Sequence, residues 1–315
     1  MKQTTRDSGS TAPERMTDAE LSEKLGHYQK MSSVWLLIGL LAVAAGVVSF
    51  FAFSDPALKG ILTAILFFGG IACALFFGGG AQKKIKTLMQ EQLGDFFRAE
   101  LEGAFGAEFV PPEMQIDGKC LKKFCIADGE WEESEVENFH EAAYRGVRFS
   151  AANVRLIHVY ERAVRREELE SRRETVFQGL VLCCKTRRSA PSPICVRART
   201  DTSPRGIVTD NETFDRLFCV TAEHGEDALF LLTPQFMELL IGFGESIEGR
   251  IVGILWEGNT FSMALETDYG FAAVAGSVDL RDIDAVRSSY RNSLREMGET
   301  LDLLFRNSAL FAAEE

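Results

Sequence analysis

The sequence predicts an α+β protein: an N-terminal two-helix transmembrane hairpin, then an antiparallel-sheet domain with helices. Three observations predict it. Residues 34–53 and 61–80 are almost entirely apolar and carry no charge. Residues 81–105 place apolar side chains three and four apart. From residue 113 the period changes to short runs rich in Val, Ile, Phe and Leu, separated by Gly, Asp, Asn and Pro.

Residues 1–33 read as a polar tail and a juxtamembrane helix. Thr, Ser, Gly and charge over 1–13 cannot form a packed core. Thr17-Asp18-Ala19-Glu20 has the form of a capping box that opens a helix through Leu21, Leu25 and Tyr28. Val34–Phe53 is long enough to cross a hydrocarbon layer of roughly 30 Å. Ser54-Asp55-Pro56 makes the turn into a second span over 61–80. Small residues in the spans, among them Gly39, Gly46, Gly69 and Gly70, permit close packing within the pair or with a second copy. An amphipathic stalk helix over 81–110 follows, with Ile85, Leu88, Met89, Leu93, Phe96, Phe97 and Leu101 on its stripe and Pro111-Pro112 at its end.

The remaining domain, 111–315, shows candidate strands at 146–160, 175–185, 194–199, 216–222 and 227–232. Thr233-Pro234 opens a helix over 234–243, Thr as cap and Pro at the first turn. Gly258-Asn259 predicts a tight hairpin between strands 250–257 and 260–266. A helix over 280–305 closes the domain.

Lys and Arg set an orientation. Arg15, Lys24 and Lys30 precede the first span, and Lys83, Lys84, Lys86 and Arg98 follow the second, whereas the connecting loop holds only Lys59. The positive-inside rule places both termini in the cytoplasm. Seven cysteines, one within a span and two adjacent, do not resemble a secreted disulfide framework and fit a reducing compartment. The net charge of -12 argues against nucleic acid as a partner.

Gly146-Val147-Arg148-Phe149-Ser150, Val176-Phe177-Gln178-Gly179-Leu180, Phe214 to Val220 (FDRLFCV), Leu231 to Met237 (LLTPQFM) and the final Leu301 to Asn307 occur in an order that resembles DUF3137, a family of bacterial membrane proteins of unknown function. The resemblance implies the architecture and a location in the bacterial inner membrane as a multi-pass protein. It implies no activity, so no site residue is carried over.

Chemistry-bearing clusters are few. Cys120 and Cys125 are spaced more widely than a zinc knuckle, and Cys183, Cys184 or His140 would have to join them. Cys183 and Cys184 point to opposite faces of a strand. His140-Glu141 lacks the second histidine of a zincin helix. Glu130, Glu132, Glu133, Glu135, Glu137 and Glu141 lack calcium-loop spacing and read as a solvated acidic surface. Gly78-Gly79-Gly80 with Lys83-Lys84 lacks the core of a phosphate loop. Arg162, Arg165, Arg166, Arg172 and Arg173, with Lys185, Arg187 and Arg188, fall in two expected loops, 162–173 and 185–188, that either meet lipid phosphate or are simply solvated.

No catalytic, cofactor or metal residue is therefore assigned. The expected role is a membrane-anchored cytoplasmic interaction or regulatory module, whose partners are the lipid bilayer and a protein or lipid headgroups at the cytoplasmic face. The alternatives are an enzyme with an unrecognised cysteine- or carboxylate-based site, and a structural homo-oligomer assembled through the stalk and membrane helices.

Overall fold

A computed structural model describes residues 15–52, 56–73, 79–106, 116, 118–123, 131–165, 168–201, 203, 206–246, 249–267, 270–306 and 310–311. The expected tail over 1–13, part of the turn at 53–55, residues 74–78 between the second apolar helix and the stalk, Pro111-Pro112 and Cys125 lie outside the described residues. In chain order the elements are α1 (Asp18–Ala52), α2 (Pro56–Cys73), α3 (Gly79–Phe105), α4 (Gly118–Lys123), β1 (Glu133–Tyr144), β2 (Val147–Arg165), β3 (Glu168–Ala198), α5 (Glu212–Leu217), β4 (Phe218–Ala222), α6 (Gly225–Leu231), α7 (Pro234–Ser246), β5 (Arg250–Glu266) and α8 (Ile283–Leu304). The chain divides into two compact units, Met1–Arg98 with Gly276–Ser288 and Ala99–Ala275 with Ser289–Glu315.

In the first unit the capping box forms as its spacing predicts. The Thr17 N–H donates to the Glu20 carboxylate at 2.9 Å, and the Glu20 N–H donates to Thr17 Oγ1 at 3.3 Å. From that start α1 runs unbroken through the juxtamembrane segment and the apolar stretch. It is long and apolar enough to cross a membrane, and only 17% of its apolar window is buried. Leu40 is 66% and Phe51 80% exposed, so α1 is not the core helix of a soluble bundle.

The second apolar helix is shorter: its apolar part covers Gly60–Ala72, so one helix of spanning length, rather than two, stands among the described residues. It runs antiparallel to α1. A Cβ on Gly70 would lie 2.8 Å from the Gly39 carbonyl, and one on Gly46 would lie 3.3 Å from the Phe67 nitrogen. The Ser49 hydroxyl bonds the Gly46 carbonyl at 2.8 Å and shares a 3.1 Å contact with Thr63. Those small residues serve the pair itself.

Helix α3 also lies antiparallel to α1. Gln92 accepts from the Met16 N–H at 2.9 Å, Arg15 pairs with Asp95 at 2.5 Å, and Gln82 reaches Ser32 at 3.5 Å. Ile85, Leu88 and Leu93 are buried in this unit, as are Leu21 and Leu25 of α1, so part of the stalk stripe is already covered within the chain. The distant segment 276–288 completes the unit. Gln29 bonds the Val278 carbonyl and the Leu280 N–H, both at 3.2 Å, and Arg287 pairs with Asp18 at 2.9 Å. The Arg281 side chain occupies the space a Cβ on Gly26 would need.

The second unit is built on a five-stranded antiparallel sheet of order β1-β2-β3-β4, with β5 also paired to β3. Alternation along β3 sorts the core into two faces. Phe177, Val181 and Cys183 face a cluster with Ala152, Val154, Leu156, Leu255 and Ala264, over which lie Leu121 of α4 and Trp131. The other face carries the aromatic contacts of Phe149, Phe261 and Trp256 with Phe105, Phe236 and Phe311. At Thr233-Pro234 the predicted cap forms, Thr233 Oγ1 accepting from the Phe236 N–H at 3.3 Å.

Several local expectations change. The expected strands 175–185 and 194–199 are one strand, β3, irregular between Lys185 and Ile194. The expected 250–257/260–266 hairpin is likewise one strand, β5: Gly258 takes the left-handed φ of +57 but pairs across to Ala190 rather than turning the chain. Long pairing partners on β3 outweigh the local turn preference of Gly-Asn. The segment 227–232 belongs mostly to helix α6, whose Ala228 and Leu231 are buried at helical spacing, and 216–217 finish α5 before β4 begins. Strand β1 went unforeseen because its outer positions are carboxylates.

Candidate functional site

The six-residue α4 sets Cys120 against the sheet, where its thiol hydrogen-bonds with that of Cys183 on β3. Ser262, the register partner of Cys183 on β5, bonds the same thiol. The Cys120 contact and burial push the Cys183 thiol well up, and burial pushes Cys184 up on the opposite face. Neither is a thiolate near neutrality, so neither is an activated nucleophile. Cys195 is disulfide-bonded, which removes it from the free thiols and leaves the orientation resting on charge.

His140 lies on β1 with its ring 5.7 Å from that of Phe271, and burial lowers its pKa. Of the acidic run around it, Glu130 lies outside the described residues, and Glu132, Glu133 and Glu135 are held in cross-strand contacts. Glu132 accepts from the Val159 N–H at 2.6 Å and lies 3.1 Å from His158, Glu133 pairs with Arg173, and Glu135 with Arg155 at 3.4 Å. These carboxylates sit on or beside an edge strand, where charge and the irregularity between Glu137 and His140 discourage addition of a further strand. Among the described residues no group of three or more His, Cys, Asp or Glu is placed to hold a metal ion.

The two arginine-rich segments are not loops. Strands β2 and β3 extend past residues 160 and 175 as a hairpin in which Arg162 pairs with Glu170 and Arg165 with Glu168. Arg166 lies outside the described residues. Residues 185–188 lie within β3: Lys185 reaches Asn259 at 3.4 Å, the Arg187 N–H donates to the Leu310 carbonyl at 2.9 Å, and the Arg188 guanidinium lies 5.0 Å from the centre of the Phe230 ring. The two segments therefore do not form one binding loop cluster.

The feature missed in the sequence is a groove in the first unit. About 890 Å³ in volume, it is lined by Glu20, Glu23, Lys24, His27 and Tyr28 of α1 and by Lys83, Lys84, Thr87, Leu88 and Glu91 of α3, among others. Lys84 Nζ lies 5.5 Å from the centre of the Tyr28 ring. Its lysines were visible as flanking charges, but their convergence needs the antiparallel packing of α3 on α1.

Fold and groove define a class: a mixed helical and antiparallel-sheet protein with a long, exposed apolar helix near its N-terminus. Residues 175–306 match the family described as "Protein of unknown function (DUF3137)", the family that the motifs resemble. No curated protein matches the chain. The crystal structure of the mycobacterial trehalose monomycolate transport factor A, TtfA, is similar over 67% of this chain and 96% of that one, at 10% identity and a TM-score of 0.30.

Proposed function

We propose that the protein is a membrane-anchored interaction module of the inner membrane. In this reading α1 and α2 form a hairpin in the bilayer, both termini lie in the cytoplasm, and the sheet unit meets a protein partner or lipid headgroups at that face. The observation that carries the reading is the exposed apolar surface of α1, which water does not favour and lipid does. The antiparallel packing at Gly46 and Gly70 supports the hairpin. Lysines on both flanks support the orientation.

Protease digestion of sealed inside-out and right-side-out membrane vesicles carrying the full chain tests it. The sheet unit should be cut only in inside-out vesicles. Digestion in right-side-out vesicles would reverse the orientation, and release of the whole chain by alkaline carbonate would remove the anchor.

A further inference from the structure

Three consecutive strand partners place a polar row inside the apolar face beneath α4. Ser150 of β2 stands opposite Cys183 of β3, which stands opposite Ser262 of β5. All three are buried, at 0%, 3% and 4% exposure. The next row on the same face is apolar: Ala152, Val181 and Ala264. Cys120 closes the row from above. Half-buried on α4, it packs against this cluster, and its thiol hydrogen-bonds with that of Cys183. The Ser262 hydroxyl also bonds the Cys183 sulfur, whereas Ser150 Oγ has no hydrogen-bond partner among the described residues. A buried hydroxyl left so is destabilising, and alanine would serve packing as well. A thiol between two hydroxyls, one of them unused, is arranged for a charge that the resting state does not carry. Loss of the Cys183 proton would put that charge within reach of both, since opposed side chains on neighbouring strands stand about 4.5–5.5 Å apart at Cβ.

We propose that Cys120 and Cys183 are a redox-active dithiol, oxidised to an intramolecular disulfide by low-molecular-weight disulfides such as glutathione disulfide. Cys120, the more exposed thiol, reacts first. It loses its proton and attacks one sulfur of the oxidant, whose S–S bond breaks, and the departing thiolate takes up that proton. Cys183 then loses its proton, attacks the Cys120 sulfur of the mixed disulfide and expels the second small thiol. Two protein thiols are oxidised, and one small disulfide is reduced to two thiols. Capping Cys120 ends the thiol contact that is the first cause holding Cys183 protonated. The two serine hydroxyls then stabilise the thiolate that burial opposes. The sulfurs, already in contact, close to about 2.0 Å, and the bond fastens α4 to β3.

The full chain in mild detergent tests this: it is incubated with glutathione disulfide, acid-quenched at intervals, digested with pepsin without reduction and read by mass spectrometry. A Cys120–Cys183 link should appear and be lost on return to reduced glutathione, with fragment spectra separating Cys183 from its neighbour Cys184. Cys183→Ser should leave glutathione on Cys120. Ser150→Ala should cap at Cys120 at the unaltered rate but close about tenfold more slowly, the worth of one hydrogen bond to a charged group. A hydroxyl with a purely structural role would leave both rates alone. No reaction at Cys120, a link from it to any other cysteine, a lasting mixed disulfide in the unaltered chain, or unslowed closure in Ser150→Ala overturns the proposal.

Discussion

Gly179 of β3 stands opposite Glu266 of β5 with no room for a side chain, and replacing it with alanine measures that approach. A Cβ there would overlap the Leu265 carbonyl oxygen and come within 2.9 Å of the Leu265 carbonyl carbon and 3.0 Å of Glu266 Cα. These are backbone atoms on a paired strand, so no side-chain rotation relieves the overlap. Either β5 moves away, loosening its pairs from Gly179–Glu266 onward, or β3 bends. Overpacking a tight core costs about 1–3 kcal/mol and sometimes more. Against it stands a gain of about 0.4–1 kcal/mol from a less flexible unfolded chain. Backbone overlap puts Gly179→Ala at the upper end, so the net loss is about 2–3 kcal/mol. Urea unfolding of the full chain in mild detergent, followed through the fluorescence of buried Trp256, should show the midpoint falling by about 1–2 M at an m-value of about 1–3 kcal/mol/M. An unchanged or raised midpoint would mean the strands do not approach so closely.

Leu121→Ala should destabilise the sheet unit by about 2–5 kcal/mol, since this fully buried side chain of α4 covers the cluster around Phe177; an unaltered urea midpoint would refute that cover. Arg287→Ala should weaken the first unit by about 1 kcal/mol, because its guanidinium pairs with Asp18 and Asp284 and lies 5.7 Å from the centre of the Phe96 ring. High salt should remove the ionic part of that difference in thermal melts, and a salt-independent loss would assign the effect to packing alone. Burial lowers the pKa of His140 from its ordinary 6.5, so the unfolded chain takes up the proton first as pH falls. Its contribution is whole above pH 6.5 and declines below it; His140→Asn should flatten the decline in urea midpoint between pH 7.5 and 5, and an identical slope would clear His140 of the effect.

What the sequence revealed is what local physics decides. The capping box at Thr17, the unbroken apolar helix and the Thr233-Pro234 start depend on residues within a turn of one another, and each formed as read. Gly258-Asn259 misled because a turn preference of this size yields to a continuous ladder against Ala190 and Ile194. Residues 227–232 misled because a short apolar run fits strand and helix alike. Strand β1 hid behind alternating glutamates whose partners, Arg155 and Arg173, are distant in sequence. The groove was illegible for the same reason: Lys24 and Lys84 each read as flanking charge until α3 brings them to one surface. Phe-x-Gly-Leu showed the opposite case. Its glycine was visible as a family motif, and the structure supplies the reason, a backbone that leaves no room for a Cβ.

The first unit also sets an energetic condition on the rest. Leu36, Leu37, Leu40, Leu41, Val48, Phe50 and Phe51 of α1 all expose roughly half or more of their surface, and Ile61, Ile65 and Phe68 of α2 do likewise. Covering a large apolar side chain is worth about 1.5–3 kcal/mol, so half-exposed chains in this number leave on the order of 10 kcal/mol unrealised. That is as large as the whole stability of a typical domain, about 5–15 kcal/mol. Packing of α2 on α1 through glycines brings the backbones close but covers only one side of each helix. A medium or partner that surrounds the pair is therefore a condition of its stability. Charge narrows the choice: the uncovered surface is uncharged between Val34 and Ala52, while lysines gather just beyond it on α1 and α3. On the reading proposed above, a layer of hydrocarbon bounded by phosphate would match both the apolar length and the lysines at this end of it.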